Sequence, residues 1–220
     1  MSTPDLQHAK EQMLHKHLRR RGIHDARVLD AMARVPRECF VDPSMRDQAY
    51  ADRAMAIRCG QTISQPYVVA LMTQALELAG QEKVLEVGTG SGYQTALLAE
   101  LVREVVSIER HAELLEEART RLRELGYQNV TLINGDGTLG WPERAPYDRI
   151  VVTAAAAACP PALFEQLAEG GIMVIPIGTP DSQMLQAIRK IDNRPKVADL
   201  SLCRFVPLVG AQGWPESITF

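Results

Sequence analysis

At 220 residues, 46% hydrophobic and 23% charged, with a formal net charge of −3, the chain has the composition of one globular unit with a sizeable core. That balance argues against a nucleic-acid partner, and no uncharged stretch is long and apolar enough to span a bilayer. The N-terminus M-S-T-P-D-L-Q-H-A-K-E-Q carries charges where a signal peptide needs an apolar core, so a cytoplasmic location with no membrane partner is expected.

In chain order, two helical patterns come first. One covers roughly Leu6 to Arg21 and stops at Gly22; the next covers Asp25 to Val35 and stops before Pro36. His8, His15, His17 and His24 lie here among charges without the spacing of a metal site, and none is assigned a metal. Cys39, Cys59, Cys159 and Cys203 are far apart and form no C-x-x-C, so they read as reduced thiols. V-P-R-E-C-F-V-D-P-S is irregular and broken by proline. Ser64 stands where it could cap a helix starting near Pro66.

From Lys83 short apolar runs alternate with helical stretches. Strands are expected at K-V-L-E-V, E-V-V-S-I-E, N-V-T-L-I-N, Y-D-R-I-V-V-T and G-G-I-M-V-I-P-I-G. Helices are expected at T-A-L-L-A-E-L, His111 to Leu125 and P-A-L-F-E-Q-L-A. Two more strands close the chain, near Gln186 to Ile191 and Ser201 to Val209. The alternation predicts an α/β fold, a doubly wound and mostly parallel Rossmann-like sheet with extra N-terminal helices. We expect one domain over residues 1–220, with helices and a loop in 1–66 and the α/β core with its closing strands in 67–220. Nothing specifies an oligomer, so a monomer is expected.

The strongest signal is V-L-E-V-G-T-G-S-G-Y, a strand running into Gly88, Gly90 and Gly92 with a helix after it. Such glycines let the backbone turn sharply and approach a ligand at the carboxyl edge of a parallel sheet. The spacing is G-x-G-x-G; the third position of the dinucleotide fingerprint is Tyr93, and no P-loop lysine follows. Glu86 would repel a pyrophosphate and suit a ligand with positive charge. Glu109 ends the second strand, placed to accept hydrogen bonds from ribose hydroxyls. Asp136, in N-G-D-G, is a natural partner for an adenine amino group. A ribose, an adenine, no phosphate and some cationic character describe S-adenosylmethionine. An NAD-dependent oxidoreductase remains the alternative from another class, and a non-catalytic binding module a third.

V-L-E-V-G-T-G-S-G-Y-Q-T-A together with G-Q-T-I-S-Q-P-Y resembles the protein-L-isoaspartate O-methyltransferases, a family of class I methyltransferases. V-P-R-E-C-F-V-D, I-N-G-D-G, Y-D-R-I-V-V-T-A-A, L-A-E-G-G-I-M-V-I-P-I-G and R-F-V-P-L extend the likeness, in the family's order, over nearly the whole chain. The resemblance implies methyl transfer from S-adenosylmethionine to the α-carboxylate of L-isoaspartyl residues in proteins and peptides. The ester then cyclises to a succinimide that partly reopens as aspartate. It implies Ser64 as the active-site residue, with Thr62 and Ile63 beside it at the substrate. It assigns the cofactor to Gln61, to the turn Gly88, Thr89, Gly90, Ser91 and Gly92, and to Glu109, Arg110, Gly135 and Asp136, and the charge of Glu86 adds that residue to the expected cofactor site. A dedicated peptide substrate with the same cofactor is the nearer alternative.

The chain departs from the family in two places. The family's P-I-G-x-G reads A-I-R-C-G here, with Arg58 at a glycine position, where it either attracts the substrate carboxylate or points into solvent. The segment after Thr153 is alanine-rich. The expected chemistry needs no general base, because an α-carboxyl group with a pKa of about 3.3–3.7 is already ionised at neutral pH.

Overall fold

The computed structural model describes residues 3–218. Helix α1 (Thr3–Gln12) runs on through a π turn (Met13–Leu18) and a 3-10 turn (Arg19–Arg21), ending at Gly22 with φ 93°. Helix α2 (Ala26–Arg34) starts at Asp25, whose carboxylate accepts hydrogen bonds from the Arg27 and Val28 amides. Val28, Leu29 and Met32 form its buried face. A small antiparallel hairpin follows, β1 (Met55–Ala56) and β2 (Thr62–Ile63), and β2 leads into helix α3 (Pro66–Ala75).

The α/β core then alternates as its pattern requires: β3 (Lys83–Val87), α4 (Tyr93–Leu101), β4 (Glu104–Glu109), α5 (Ala112–Glu124), β5 (Val130–Asn134), β6 (Tyr147–Val152), α6 (Pro161–Gln166), β7 (Leu167–Gly178), β8 (Gln183–Ile191) and β9 (Arg194–Cys203). The sheet order is β5-β4-β3-β6-β7-β8-β9, parallel from β5 to β7 and antiparallel beyond. The winding direction reverses between β3 and β6. A crevice opens at that point beyond the carboxyl ends of the strands, where open α/β sheets bind ligands.

Successive side chains of each central strand enter opposite cores. Val84, Val105 and Val151 pack on one face with Met13, Leu18, Val28 and Met32, so the N-terminal helices share a core with the sheet. Leu85, Val106, Ile150 and Val152 pack on the other face with Leu163. Two covered faces explain why these strands read as continuous apolar runs. Each such side chain contributes about 1.5–3 kcal/mol on full burial.

β7 and β8 each begin three residues earlier than expected, and the closing strand differs most. The last strand is Arg194–Cys203 rather than Ser201 to Val209. Asp192 and Asn193, at φ 52° and 56°, form a tight hairpin turn that fixes it against β8. It is an exposed edge strand, so it needs no apolar pattern and tolerates Pro195. The apolar F-V-P-L-V instead crosses the carboxyl end of the sheet, where the Ala155 amide donates to the Val206 carbonyl and the Leu208 amide donates to that of Ala155.

Candidate active site

β3 delivers Gly88, Gly90 and Gly92 at φ 97°, 53° and 88°, the left-handed region that glycine enters at least cost. A side chain at Gly92 would press on Ala118 of α5 at 3.2 Å, so that glycine also permits close helix packing. The Gly88 amide donates to the Ile108 carbonyl at 2.8 Å, and the Gly90 amide donates to Glu109 Oε2 at 2.9 Å. The turn is thereby tied to the end of β4.

Opposite the turn lies the Gln61–Ser64 segment. Between them is a cavity open to solvent. Gln61, Thr62, Ile63 and Ser64 line one wall; Gly88, Thr89, Gly90 and Ser91 line another; Glu109 and Arg110 stand at the rim of β4. Val69, Met72, Val87, Ile108 and Leu208 supply apolar surface. Glu109 Oε1 also accepts the His111 amide at 2.9 Å, which aims the carboxylate from the strand end. No lysine is among the residues that line the cavity. One carboxylate and an apolar slot suit a nucleoside with a cationic tail better than a pyrophosphate.

Gly135 and Asp136 line an adjoining hollow with Arg110 and Trp214. Asp136 is committed to local structure as well. Its Oδ1 accepts from the Thr138 amide and hydroxyl, at 2.9 and 2.7 Å, and its Oδ2 accepts from the Ala211 amide at 2.7 Å. Partial burial opposes ionisation there, yet the Ala211 and Thr138 bonds hold the carboxyl below its ordinary value. Oδ1 has both lone pairs engaged, and one lone pair on Oδ2 remains for a ligand. Arg110 turns outward and pairs with Glu216 at 2.7 Å.

Glu86 lies beneath the turn rather than on the cavity wall. It is fully buried. Its Oε2 accepts from the Thr95 hydroxyl at 2.5 Å and the Ser107 hydroxyl at 2.6 Å, while Oε1 has no partner. Ser107 Oγ lies 2.6 Å from Thr89 Oγ1, so Glu86 reaches the turn through two hydroxyls. Burial pushes its pKa up to about 8, the hydroxyl bonds work against that shift, and neighbouring Glu109 adds to it. The sequence pattern had set this carboxylate facing the ligand. A parallel strand covered on both faces leaves such a side chain inside the protein.

Ser64 does not cap the helix. The cap position of α3 is Gln65, which makes no side-chain capping bond, with Pro66 at the first helical position. Among the described residues the Ser64 hydroxyl has no hydrogen-bond partner, while its carbonyl accepts from Arg37 Nη2 at 2.7 Å. Thr62 is exposed and Ile63 is buried, as alternation along β2 requires. Gln61 Nε2 donates to the Cys59 carbonyl at 3.1 Å, and Cys59 and Gly60 both take positive φ, 56° and 66°.

Arg58 points largely into solvent, the second of its two expected roles, with its side chain 69% exposed. Its guanidinium pairs with Glu117 at 3.0 Å and Glu113 at 4.0 Å, which ties the hairpin turn to α5. The pair is exposed, and such pairs add little. Arg58→Gly should therefore leave KM for an isoaspartyl peptide within about twofold, read from initial rates; a rise of tenfold would return Arg58 to the substrate site.

Thr153 and Arg37 are among the side chains at the site that carry no sequence assignment. Thr153, just past β6, lines the cavity, and its hydroxyl donates to the Gly88 carbonyl at 2.7 Å. Its place at the carboxyl edge of a central strand was the available signal. Arg37, in V-P-R-E, lies behind Ser64, and nothing local in the sequence pairs the two.

A doubly wound sheet with this glycine turn, a carboxylate closing the second strand and a hydroxyl-bearing loop opposite defines a class I, S-adenosylmethionine-dependent methyltransferase. The sequence profile of the protein-L-isoaspartate(D-aspartate) O-methyltransferases matches residues 8–213, and the chain belongs to that family. It is 54% identical over 214 residues to a protein-L-isoaspartate O-methyltransferase of Dictyoglomus thermophilum, covering 97% of each chain. Identity is also 54% with that of Koribacter versatilis, over 93% of this chain and 92% of the relative. Among solved structures, a protein-L-isoaspartate O-methyltransferase superposes with TM-score 0.81 at 30% identity, covering 93% of this chain and 67% of the other. A putative Plasmodium falciparum member in complex with S-adenosyl-L-homocysteine gives 0.76 at 26% identity, covering 89% and 96%.

Proposed function

We propose that the protein transfers the methyl group of S-adenosylmethionine to the α-carboxylate of L-isoaspartyl residues, with Ser64 and Thr62 as the hydroxyls that hold that carboxylate. The observation that carries the Ser64 role is its hydroxyl, free of any described protein partner, on the wall facing the glycine turn. A hydroxyl donates to a carboxylate without taking a proton from it, which suits an acceptor that is already ionised. Bound S-adenosylmethionine supplies a methyl group on positively charged sulfur, and the electrons of the broken carbon–sulfur bond return to the sulfur.

The residues contribute geometry. The amides and small side chains of Gly88, Thr89, Gly90, Ser91 and Gly92 form the floor, and Glu86 supports it from beneath. Glu109 is placed for ribose hydroxyls, Gly135 and Asp136 for the adenine edge, and Arg110 and Gln61 close the sides. Ile63, on β2, excludes water from the acceptor. Holding oxygen, methyl carbon and sulfur in line can supply up to about 7–11 kcal/mol of the barrier. The ester formed cyclises to a succinimide and so begins repair of the damaged residue. We further infer a single domain that acts as a cytoplasmic monomer on polypeptides, with no nucleic-acid or membrane partner. No described helix is long and apolar enough to cross a membrane.

The test uses two peptides of one sequence, with L-isoaspartate or L-aspartate at one position, and methyl-labelled S-adenosylmethionine. Base-labile label on the isoaspartyl peptide alone is expected. Equal label on both peptides, or on neither, would move the substrate elsewhere.

A further inference from the structure

Arg37 opens the 3-10 turn Arg37–Cys39, directly after the proline that ends α2. Its side chain is fully buried. Nε donates to the Ala49 carbonyl at 2.7 Å and Nη2 to the Ser64 carbonyl at 2.7 Å. The guanidinium carbon lies 4.7 Å from the centre of the Tyr93 ring, and Phe40 meets the same ring edge-on at 5.5 Å. Tyr93 begins α4 directly after Gly92. One planar group thus joins the Ser64 peptide to the helix that carries the glycine turn.

The charge of that group is unusual. Among the described residues no carboxylate lies within salt-bridge distance of Arg37, and Nη1 is buried with no partner. A buried cation without an anion is strongly disfavoured, and an arginine does not escape by losing its proton. Two carbonyls and an aromatic face offset part of the cost. Ser64 and Tyr93, its immediate neighbours, both line the cavity that receives the acceptor.

We propose that Arg37 positions Ser64 against the cofactor turn, and that its otherwise unmatched charge is balanced by the isoaspartyl carboxylate seated at the Ser64 hydroxyl. This rests on Ser64 touching the acceptor. The positive charge suspected at Arg58 is supplied instead from behind the loop. A fork fixed at two carbonyls also sets the loop at one height above the turn, which an in-line transfer requires.

The test compares Arg37→Lys, Arg37→Gln and Ser64→Ala in the full-length protein. Arg37→Lys keeps the charge and loses the planar fork. It should lower kcat by about 30-fold or more, with KM and S-adenosylhomocysteine affinity, by calorimetry, within about threefold. Arg37→Gln removes the charge. The readout is its affinity for the anionic isoaspartyl peptide relative to the neutral methyl ester of the same peptide. That ratio should fall about tenfold from wild type, and Arg37→Lys should preserve it. Arg37→Lys with wild-type kcat overturns the positioning role, and an unchanged ratio in Arg37→Gln overturns the charge role. Cofactor affinity falling in step with kcat in both variants, or neither variant folding, makes Arg37 structural only. Ser64→Ala separates the two levels: full activity there removes Ser64 from the acceptor, whereas low activity beside a normal Arg37→Lys rejects Arg37 alone.

Discussion

Ser64→Asp should lower methyl transfer by about a thousandfold or more while leaving S-adenosylhomocysteine affinity within about threefold. Losing one preorganised donor at a reacting oxygen costs about 10²–10³ by itself. The new carboxylate adds repulsion against an anionic acceptor inside a partly enclosed site, where charges are poorly screened. The folded state should tolerate the change. Ser64 is half-buried, its hydroxyl binds nothing described, and the cap position of α3 is the next residue. Melting at or above the wild-type temperature is therefore expected, because the new carboxylate lies beside the buried Arg37 cation. Rates with an isoaspartyl peptide, beside calorimetry with S-adenosylhomocysteine, decide the matter. Full activity in Ser64→Asp would remove Ser64 from the site and leave Thr62 as the donor to examine.

Glu86→Gln should remove a large part of the protein's loss of stability in alkali. Burial lifts the Glu86 pKa from the ordinary 4.5 to about 8, against the pull of the Ser107 and Thr95 hydroxyls. The folded protein therefore keeps this proton when the unfolded chain has lost it. Its contribution is fully present below about pH 4.5, declines as pH rises, and is gone above about pH 8. At about 1.4 kcal/mol per pH unit, the change across that window is on the order of 5 kcal/mol. Glutamine is neutral throughout and its carbonyl can still accept from Thr95 and Ser107. Near pH 5 the two proteins should melt alike, or the variant slightly lower. By pH 8.5 the variant should melt higher, by about 10–20 °C for a chain of this size. Melting curves of both proteins from pH 4.5 to 9 give the difference directly. Parallel curves would mean that Glu86 is ionised in the fold and that a positive group reaches it.

The reach of the sequence differs from element to element. The central strands were legible because both their faces are covered, which leaves runs such as V-L-E-V and I-V-V that only a buried sheet needs. The Arg194–Cys203 strand was not, because an exposed edge strand makes no demand on apolar pattern. The turn at Gly88–Gly92 was legible because positive φ at three alternate residues selects glycine. Glu109 was legible from its place at a strand end. Glu86, two residues before the turn, was placed on the wrong side of it: alternation gives opposite faces but does not say which face holds the ligand. Ser64 was legible as a special residue, but a cap and a substrate donor look identical until the first turn of α3 is seen one residue later.

What the sequence determined by itself is what depends on neighbours in the chain: the order of strands and helices, the glycine turn, the acidic strand end, the hydroxyls of T-I-S and, through them, the family. What only the tertiary structure decided depends on partners far apart in the chain. Arg58 meets Glu117 across a hairpin and a helix, Glu86 meets Ser107 across two strands, and Arg37 meets Ser64 and Tyr93 through the core. Local pattern records how a residue bends or pleats its own segment. Where a charge ends up, and against what, is set by which segments the closing core brings together.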